Sequence, residues 1–302
     1  MIDRAQRYQG CLLGLAVGDA VGTTLEFCRP GSFEPITDMV GGGPFNLQPG
    51  QWTDDTSMAL CLAHSLLHTS GFDPRDQMER YCAWRKEGYM SSNGRCFDIG
   101  VTVSEAISQF LNTGEPFAGS TNPFSAGNGS LMRLAPVAMY YSPDLELVLQ
   151  YSGESSRTTH GARECIDACR YFGMLLHSAF AGMDKAGLLA QSDYSPETKK
   201  VQAIQRGEYL QKDRAQIKGT GYVIDCLEAA LWCFAHTDNF RDAILAAANL
   251  GDDADTTAAV CGQIAGAFYG VDGIPESWRE KITMLDDILE LSEQLNKCSP
   301  SE

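Results

Sequence analysis

Gly251-Asp252-Asp253-Ala254-Asp255-Thr256-Thr257 runs directly into Ala258-Ala259-Val260-Cys261 and on to Phe268. Carboxylates and hydroxyls come first; an apolar segment of helical period follows, carrying Gly262, Gly266 and Gly270. A second stretch is built the same way. Trp52-Thr53-Asp54-Asp55-Thr56 leads into Met58, Leu60, Cys61, Leu62, Leu66 and Leu67. Threonine and aspartate at a helix start are ordinary N-caps, and the helix dipole tolerates anions there. A helix needs only one capping oxygen, however, and adjacent carboxylates repel unless a cation joins them. The two stretches therefore read as halves of one metal site. Oxygen donors without His or Cys suit a hard ion, Mg²⁺ or Mn²⁺ rather than Zn²⁺.

Outward from these two stretches the helical period dominates. Residues 4–22 predict a helix in which Gly10, Gly14, Gly18 and Gly22 recur every fourth position. Each helical glycine costs roughly 1 kcal/mol against alanine, so a stripe of them implies close approach of another backbone. The helix after Gly251–Thr257 carries the matching stripe, and the two helices are expected to lie together in the core. Residues 27–52 predict a long loop punctuated by Arg29-Pro30-Gly31, Gly41-Gly42-Gly43-Pro44 and Pro49-Gly50, of a length that is usually functional. Further helices are expected over 55–69, from Asp73-Pro74 to about Lys86, from near 99 with Val103, Ala106, Ile107, Phe110 and Leu111 on one face, and over 143–151 and 161–181. Residues 184–217 carry the weakest pattern and predict a surface excursion. Gly219-Thr220-Gly221-Tyr222 opens an apolar helix, followed by helices over 239–250 and 256–270 and one or two from 276 to 296. Strand-like alternation is scarce, and no dinucleotide-binding fingerprint appears. The expectation is an all-α, single-domain multi-helix bundle over residues 1–302, with a binuclear metal site between helix N-termini.

Ser125-Ala126-Gly127-Asn128-Gly129-Ser130, opening onto Leu131-Met132-Arg133, reads either as an anion cradle of free amides at a helix start or as a plain turn. His64 and His68 have the spacing of a metal pair but no intervening Glu in an H-E-x-x-H pattern, so they read as structural. Acidic residues outnumber basic ones 39 to 23, for a net charge of −16 and no Lys/Arg cluster, which argues against nucleic acid or an anionic membrane as partner. Eleven cysteines without a Cys-x-x-Cys or a secreted-scaffold spacing predict reduced thiols in the cytoplasm. Cys165 and Cys169 are expected to pack rather than ligate. The N-terminal apolar run is short, glycine-rich and flanked by Asp3 and Asp19, which fails as a signal peptide, and no run is long enough to insert stably in a membrane.

Taken together, Gly10-Cys11-Leu12-Leu13-Gly14-Leu15-Ala16-Val17-Gly18-Asp19 with Glu26, Trp52–Thr56, Phe97-Asp98-Ile99-Gly100, Gly127–Arg133, Thr159-His160-Gly161, Gly221-Tyr222 and Asp253–Thr256 resemble the ADP-ribosylglycohydrolase family, and within it the bacterial dinitrogenase-reductase-activating branch. The motifs fall in the right order between residues 10 and 270. The resemblance implies an all-α fold with two Mg²⁺ or Mn²⁺ ions at the base of an ADP-ribose cleft. It carries ligand roles over to Thr53, Asp54, Asp55, Asp253, Asp255 and Thr256, with Glu26 as a further acidic ligand or water-positioning group. Gly127, Asn128, Gly129 and Ser130 would hold the pyrophosphate, with Met132 in the same motif; His160 would contact the nucleotide and Tyr222 would line the cleft. Asp98 matches the residue proposed as proton carrier or nucleophile, against its alternative as N-cap of the helix beginning near 99. Asp252 departs from the pattern, standing where many relatives have glycine.

What the resemblance implies is a metal-dependent hydrolase that reverses protein ADP-ribosylation. Its substrate would be an ADP-ribosylated protein, cut at the N-glycosidic bond to arginine, with ADP-ribose as product. The alternatives are hydrolysis of another ADP-ribose linkage, such as a serine O-glycoside or a free ADP-ribosyl metabolite, and a catalytically silent ADP-ribose-binding relative.

Overall fold

A computed structural model of the chain describes residues 2–298; Met1 and residues 299–302 of the expected 1–302 unit lie outside them. The elements, in chain order, are helices α1 (Arg4–Gly22), α2 (Asp54–Thr69), α3 (Pro74–Glu87), α4 (Val101–Thr113), α5 (Ala135–Tyr141), α6 (Leu145–Arg157) and α7 (Arg163–Phe180), then α8 (Lys185–Leu189), α9 (Lys199–Gln205), α10 (Val223–Ala235), α11 (Phe240–Ala248), α12 (Ala254–Tyr269), α13 (Glu276–Arg279) and α14 (Leu285–Cys298). Pairing of extended backbone among the described residues is limited to isolated bridges such as Gly42 with Leu47. No described helix is long and apolar enough to cross a membrane.

The glycine stripes explain the centre of the bundle. α1 and α12 run antiparallel and touch backbone to backbone. A Cβ built at Gly10, Gly14, Gly18 or Gly22 would lie 2.2, 2.3, 2.1 or 2.4 Å from the carbonyl oxygen of Gly266, Gly262, Ala258 or Ala254 respectively. The reverse holds as well: a Cβ at Gly262 or Gly266 would meet the oxygen of Gly14 or Gly10 at 2.0 or 1.8 Å. The two helices are expected neighbours, and the contact gives the compensating reason for spending glycines on a helix face. α1 is buried from Gly10 to its end, and α12 from Ala254 to Ala267. Other helices pack around this pair through side chains, so the C-terminus of α1 meets the N-terminus of α12 at a fixed place.

Local signals account for most helix ends. Asp3 and Gln6 form a reciprocal capping box at α1, and Asp73 caps α3 with Pro74 in its first turn. Ser70, Gly88 and Gly114 end α2, α3 and α4 in the left-handed conformation. The 27–52 loop holds its course through specific contacts: Asn249 brackets Ile36 with its side-chain amide, and Gly50 passes against the Lys281 carbonyl.

Two expectations need correction. The segment from Gly127 does not open directly onto a helix; turns occupy 129–133, and α5 begins only at Ala135. Residues 184–217 are not a bare surface excursion either. They form α8, α9 and two 3-10 turns, and bury Leu188, Val201, Ile204, Tyr209 and Ile217. Their apolar residues are too widely spaced to show a period, because each anchors a separate short element.

Candidate active site

The acidic helix starts of α2 and α12 meet as expected, but neither is capped by its own side chain. Thr53 and Asp253 occupy the N-cap positions without making a side-chain capping bond. The caps come from the end of α1 and the turn after it. Asp19 Oδ1 accepts from Thr53 N at 2.8 Å and Thr53 Oγ1 at 2.9 Å, while its Oδ2 accepts from Thr56 N at 3.1 Å and Thr56 Oγ1 at 2.6 Å. Glu26 Oε2 accepts from Ala254 N at 2.8 Å and Asp255 N at 3.4 Å. Asp54, Asp55 and Asp253 are thereby released from capping duty.

The released carboxylates crowd together. Thr53 Oγ1 lies within hydrogen-bond distance of Asp19, Asp55 and Asp255 at once, at 2.9, 3.1 and 3.2 Å, with a single proton to share. Two groups have the spacing of a cation's ligands: Asp19, Asp55 and Asp255, and Glu26, Asp253 and Asp255. Asp55 Oδ1 is buried without a hydrogen-bond partner. Burial, followed by repulsion from Asp255, pushes Asp19 up to about 7, and the same causes raise Asp253 to about 7. Burial also raises Asp54, Asp55 and Glu26 well above the carboxylate range. Such a set is costly without positive charge, and the all-oxygen donors together with the orphaned Asp55 oxygen fit a hard cation. Neither group includes His64 or His68.

Above these acids opens a cavity of ≈ 340 Å³ bordered by Glu26, Asp54, Asp98, Asp253, Asp255 and Thr256. Asp98 does not cap α4, whose N-cap is Gly100 without a side-chain bond. It has a left-handed backbone, φ 59°, and faces Asp54 and Asp255; burial and those neighbours push its carboxyl up to about 11. The capping alternative is excluded by this geometry. Asp252 also has a left-handed backbone, φ 58°, and an exposed side chain. Its amide and carbonyl pair with Cys28 and Phe27, so a glycine-like conformation is what the position demands, and the carboxylate stays out of the cavity.

The opposite wall is formed by Gly127, Asn128, Gly129, Met132, His160 and Gly221. The amides of Gly127 and Asn128 are engaged by the carbonyls of Ser125 and Gly221; among the described residues, those of Gly129 and Ser130 have no acceptor. Asn128 Nδ2 donates to Asp253 Oδ2 at 3.0 Å, bracing the acidic floor. A Cβ at Gly129 would strike the His160 ring at 2.7 Å, which is why the loop is glycine there. Burial and then nearby Arg133 push His160 down to about 3, leaving a neutral imidazole. Arg133 is buried without a carboxylate; it donates to Gly129 O at 2.9 Å and Thr159 Oγ1 at 2.8 Å and lies 4.8 Å from the Tyr81 ring, tying loop to histidine.

The remaining expected residues lie nearby rather than in the cavity. Ser130 is buried beneath the loop, where its hydroxyl accepts from Ser156 and Cys169, and Cys165 packs its thiol against Gly127 O. Tyr222 lines an adjoining cavity of ≈ 560 Å³ that shares Thr102, Gly127 and Gly221 with the first; its hydroxyl bonds Glu164 and Lys200. Sequence reasoning assigned no role to Asp19. The available signal was a lone carboxylate in the apolar run Leu15-Ala16-Val17-Gly18-Asp19-Ala20-Val21, a residue almost never buried without partners.

The sequence profile of the ADP-ribosylglycohydrolase family matches residues 1–301. The chain is 46% identical to the ADP-ribosylarginine hydrolase Tri1 of Serratia proteamaculans (strain 568), across 100% of this chain and 81% of that protein. It is 34% identical to the ADP-ribosyl-(dinitrogen reductase) glycohydrolase of Rhodospirillum rubrum, across 92% of this chain and 90% of that protein. A solved structure described as an ADP-ribosylglycohydrolase-related protein complex superposes with a TM-score of 0.87 at 40% identity, covering 99% of this chain and 100% of the other.

Proposed function

The chain belongs to the ADP-ribosylglycohydrolase family, and from that premise we propose that it hydrolyses the N-glycosidic bond joining ADP-ribose to arginine side chains of a modified protein. The relatives named for that activity support the linkage. The observation that carries the reading is the convergence of the two acidic helix starts and Asp98 on one cavity whose far wall is the Gly127–His160 surface. The two carboxylate groups sharing Asp255 support a pair of Mg²⁺ or Mn²⁺ ions, held by Thr53, Asp54, Asp55, Asp253, Asp255 and Thr256 with Glu26 beside them. Bound there, the cations would orient the ribose hydroxyls and offset developing negative charge.

The chain's own groups divide the rest of the work. The unpaired amides of Gly129 and Ser130 donate to the pyrophosphate, and neutral His160 shapes the nucleotide side without adding charge. The adjoining cavity with Tyr222 extends the cleft. In the reaction, a water oxygen bonds to C1″ as the C1″–N bond breaks, and the bonding pair leaves on the guanidine. Asp98, protonated in this setting, gives its proton to that nitrogen and recovers one from the attacking water, giving ADP-ribose and arginine. All eleven cysteines are free thiols, in keeping with a cytoplasmic setting.

Incubation with arginine-linked and serine-linked ADP-ribosyl substrates, with and without EDTA, tests this function. The expected result is metal-dependent release from arginine, reduced about 10²–10⁴-fold by Asp98→Asn in a variant that still folds and binds ADP-ribose. Release from serine alone, or undiminished activity in EDTA, would overturn the reading.

A further inference from the structure

Phe27 combines an unusual backbone with an exposed ring. It follows Glu26 directly, has a left-handed backbone with φ 61°, and remains 67% exposed. Bulky residues avoid that conformation, and exposing an aromatic ring forgoes the gain of burying it. The backbone is held there by the 2.7 Å hydrogen bond from Phe27 N to Asp252 O. The outcome is a ring on the lip of the cavity that Asp54, Asp98 and Asp255 border. It does not stand alone: its centroid is 6.3 Å from that of Phe45, which is 5.3 Å from that of Phe97. Phe97 directly precedes Asp98, the other left-handed residue of the lip. Phe45 and Phe97 line a smaller cavity beside this one, so Phe27 alone reaches the lip and the other two rings back it.

The chemistry that fits an aromatic face next to carboxylates is a planar cation. A guanidinium stacks on a ring and donates through several N–H groups to a carboxylate in its own plane; an alkyl hydroxyl has no planar cationic face to stack and only one donor to offer. Given the proposed function, on which this step rests, we infer that Phe27, backed by Phe45 and Phe97, forms the leaving-group subsite for the guanidinium of the modified arginine and so selects the arginine linkage. The subsite is separate from the Gly127–His160 wall, which leaves ADP-ribose recognition independent of it.

The test compares wild type, Phe27→Ala and Phe27→Trp, all Mg²⁺-loaded. It measures kcat/KM on an ADP-ribosyl-arginine peptide, inhibition by N-methylguanidinium, the Kd of free ADP-ribose, and the melting temperature. Phe27→Ala is expected to lose roughly tenfold in kcat/KM and to weaken N-methylguanidinium inhibition to a similar degree, with ADP-ribose affinity and melting temperature unchanged; Phe27→Trp is expected to retain both functions. Equal kcat/KM in wild type and Phe27→Ala would overturn the subsite alone. A parallel loss of ADP-ribose affinity or of thermal stability would also overturn it, by making Phe27 part of the nucleotide site or of the frame. A wild-type protein that leaves arginine linkages intact would overturn the broader function, and the subsite with it.

Discussion

Helices α2 and α12 are each 16 residues long, each starts with paired carboxylates and threonines, and each points its N-terminus at the same cavity. They are held by different means. α12 lies backbone-on-backbone against α1 along the glycine stripes, so its start is positioned by main-chain contact that only small residues permit. α2 owes its start to one buried carboxylate, Asp19, whose two oxygens each accept two hydrogen bonds from Thr53 and Thr56. The caps differ in the same way: Asp19 is sealed beneath the cluster, while Glu26 caps α12 and still borders the cavity. One short region, from Asp19 to Glu26, thus sets both acidic starts. Rigidity is spent on α12, whose Asp255 belongs to both candidate cation groups.

The largest expected effect lies in that asymmetry. Asp255→Ala removes a ligand from both groups and should abolish turnover together with nearly all bound Mn²⁺. Asp55→Ala on α2 and Asp253→Ala before α12 each touch one group and should leave part of the metal, as read by elemental analysis after loading. Equal losses from all three would break the distinction between the helix starts. Next in size is Gly266→Leu, whose Cβ would have to enter at 1.8 Å from Gly10 O. Overpacking typically costs ~1–3 kcal/mol, and forcing two backbones apart should reach at least the upper part of that range in chemical denaturation. An unchanged unfolding midpoint would mean that α12 is not held by this contact.

The last expected effect is a pH slope shared by both starts. Asp19, beneath α2, and Asp253, before α12, are both raised to about 7 from an ordinary Asp value of roughly 3.9. The folded state then binds more protons than the unfolded one, so stability is fully present below about 4 and is lost as pH climbs through 7. Metal-stripped protein should therefore melt at progressively lower temperature between pH 5 and 8, and Mg²⁺ should recover more of the loss at pH 8 than at pH 5. A melting temperature that rises over this range would show that the acids are already neutralised by groups of the chain itself.

Local order was legible in the sequence because it depends on near neighbours. Apolar period marked most of the helices, Asp73-Pro74 announced a helix start, and carboxylates too numerous for capping pointed to a cation. The glycine stripes even named the helix pair, since a residue that costs helix stability every fourth position needs a backbone against it. Only the tertiary structure could show that Asp19 and Glu26 cap helices 34 and 228 residues away, because a hydrogen-bond partner that distant leaves no periodic trace. It alone decided that Asp98 faces acids instead of capping α4, and that Ser130 lies under the loop rather than in the cavity. The direction in which a side chain points depends on where the backbone has been carried by everything else. The aromatic cluster has the same origin: Phe27, Phe45 and Phe97 come from separate stretches of irregular chain, and only the tertiary structure brings their rings together.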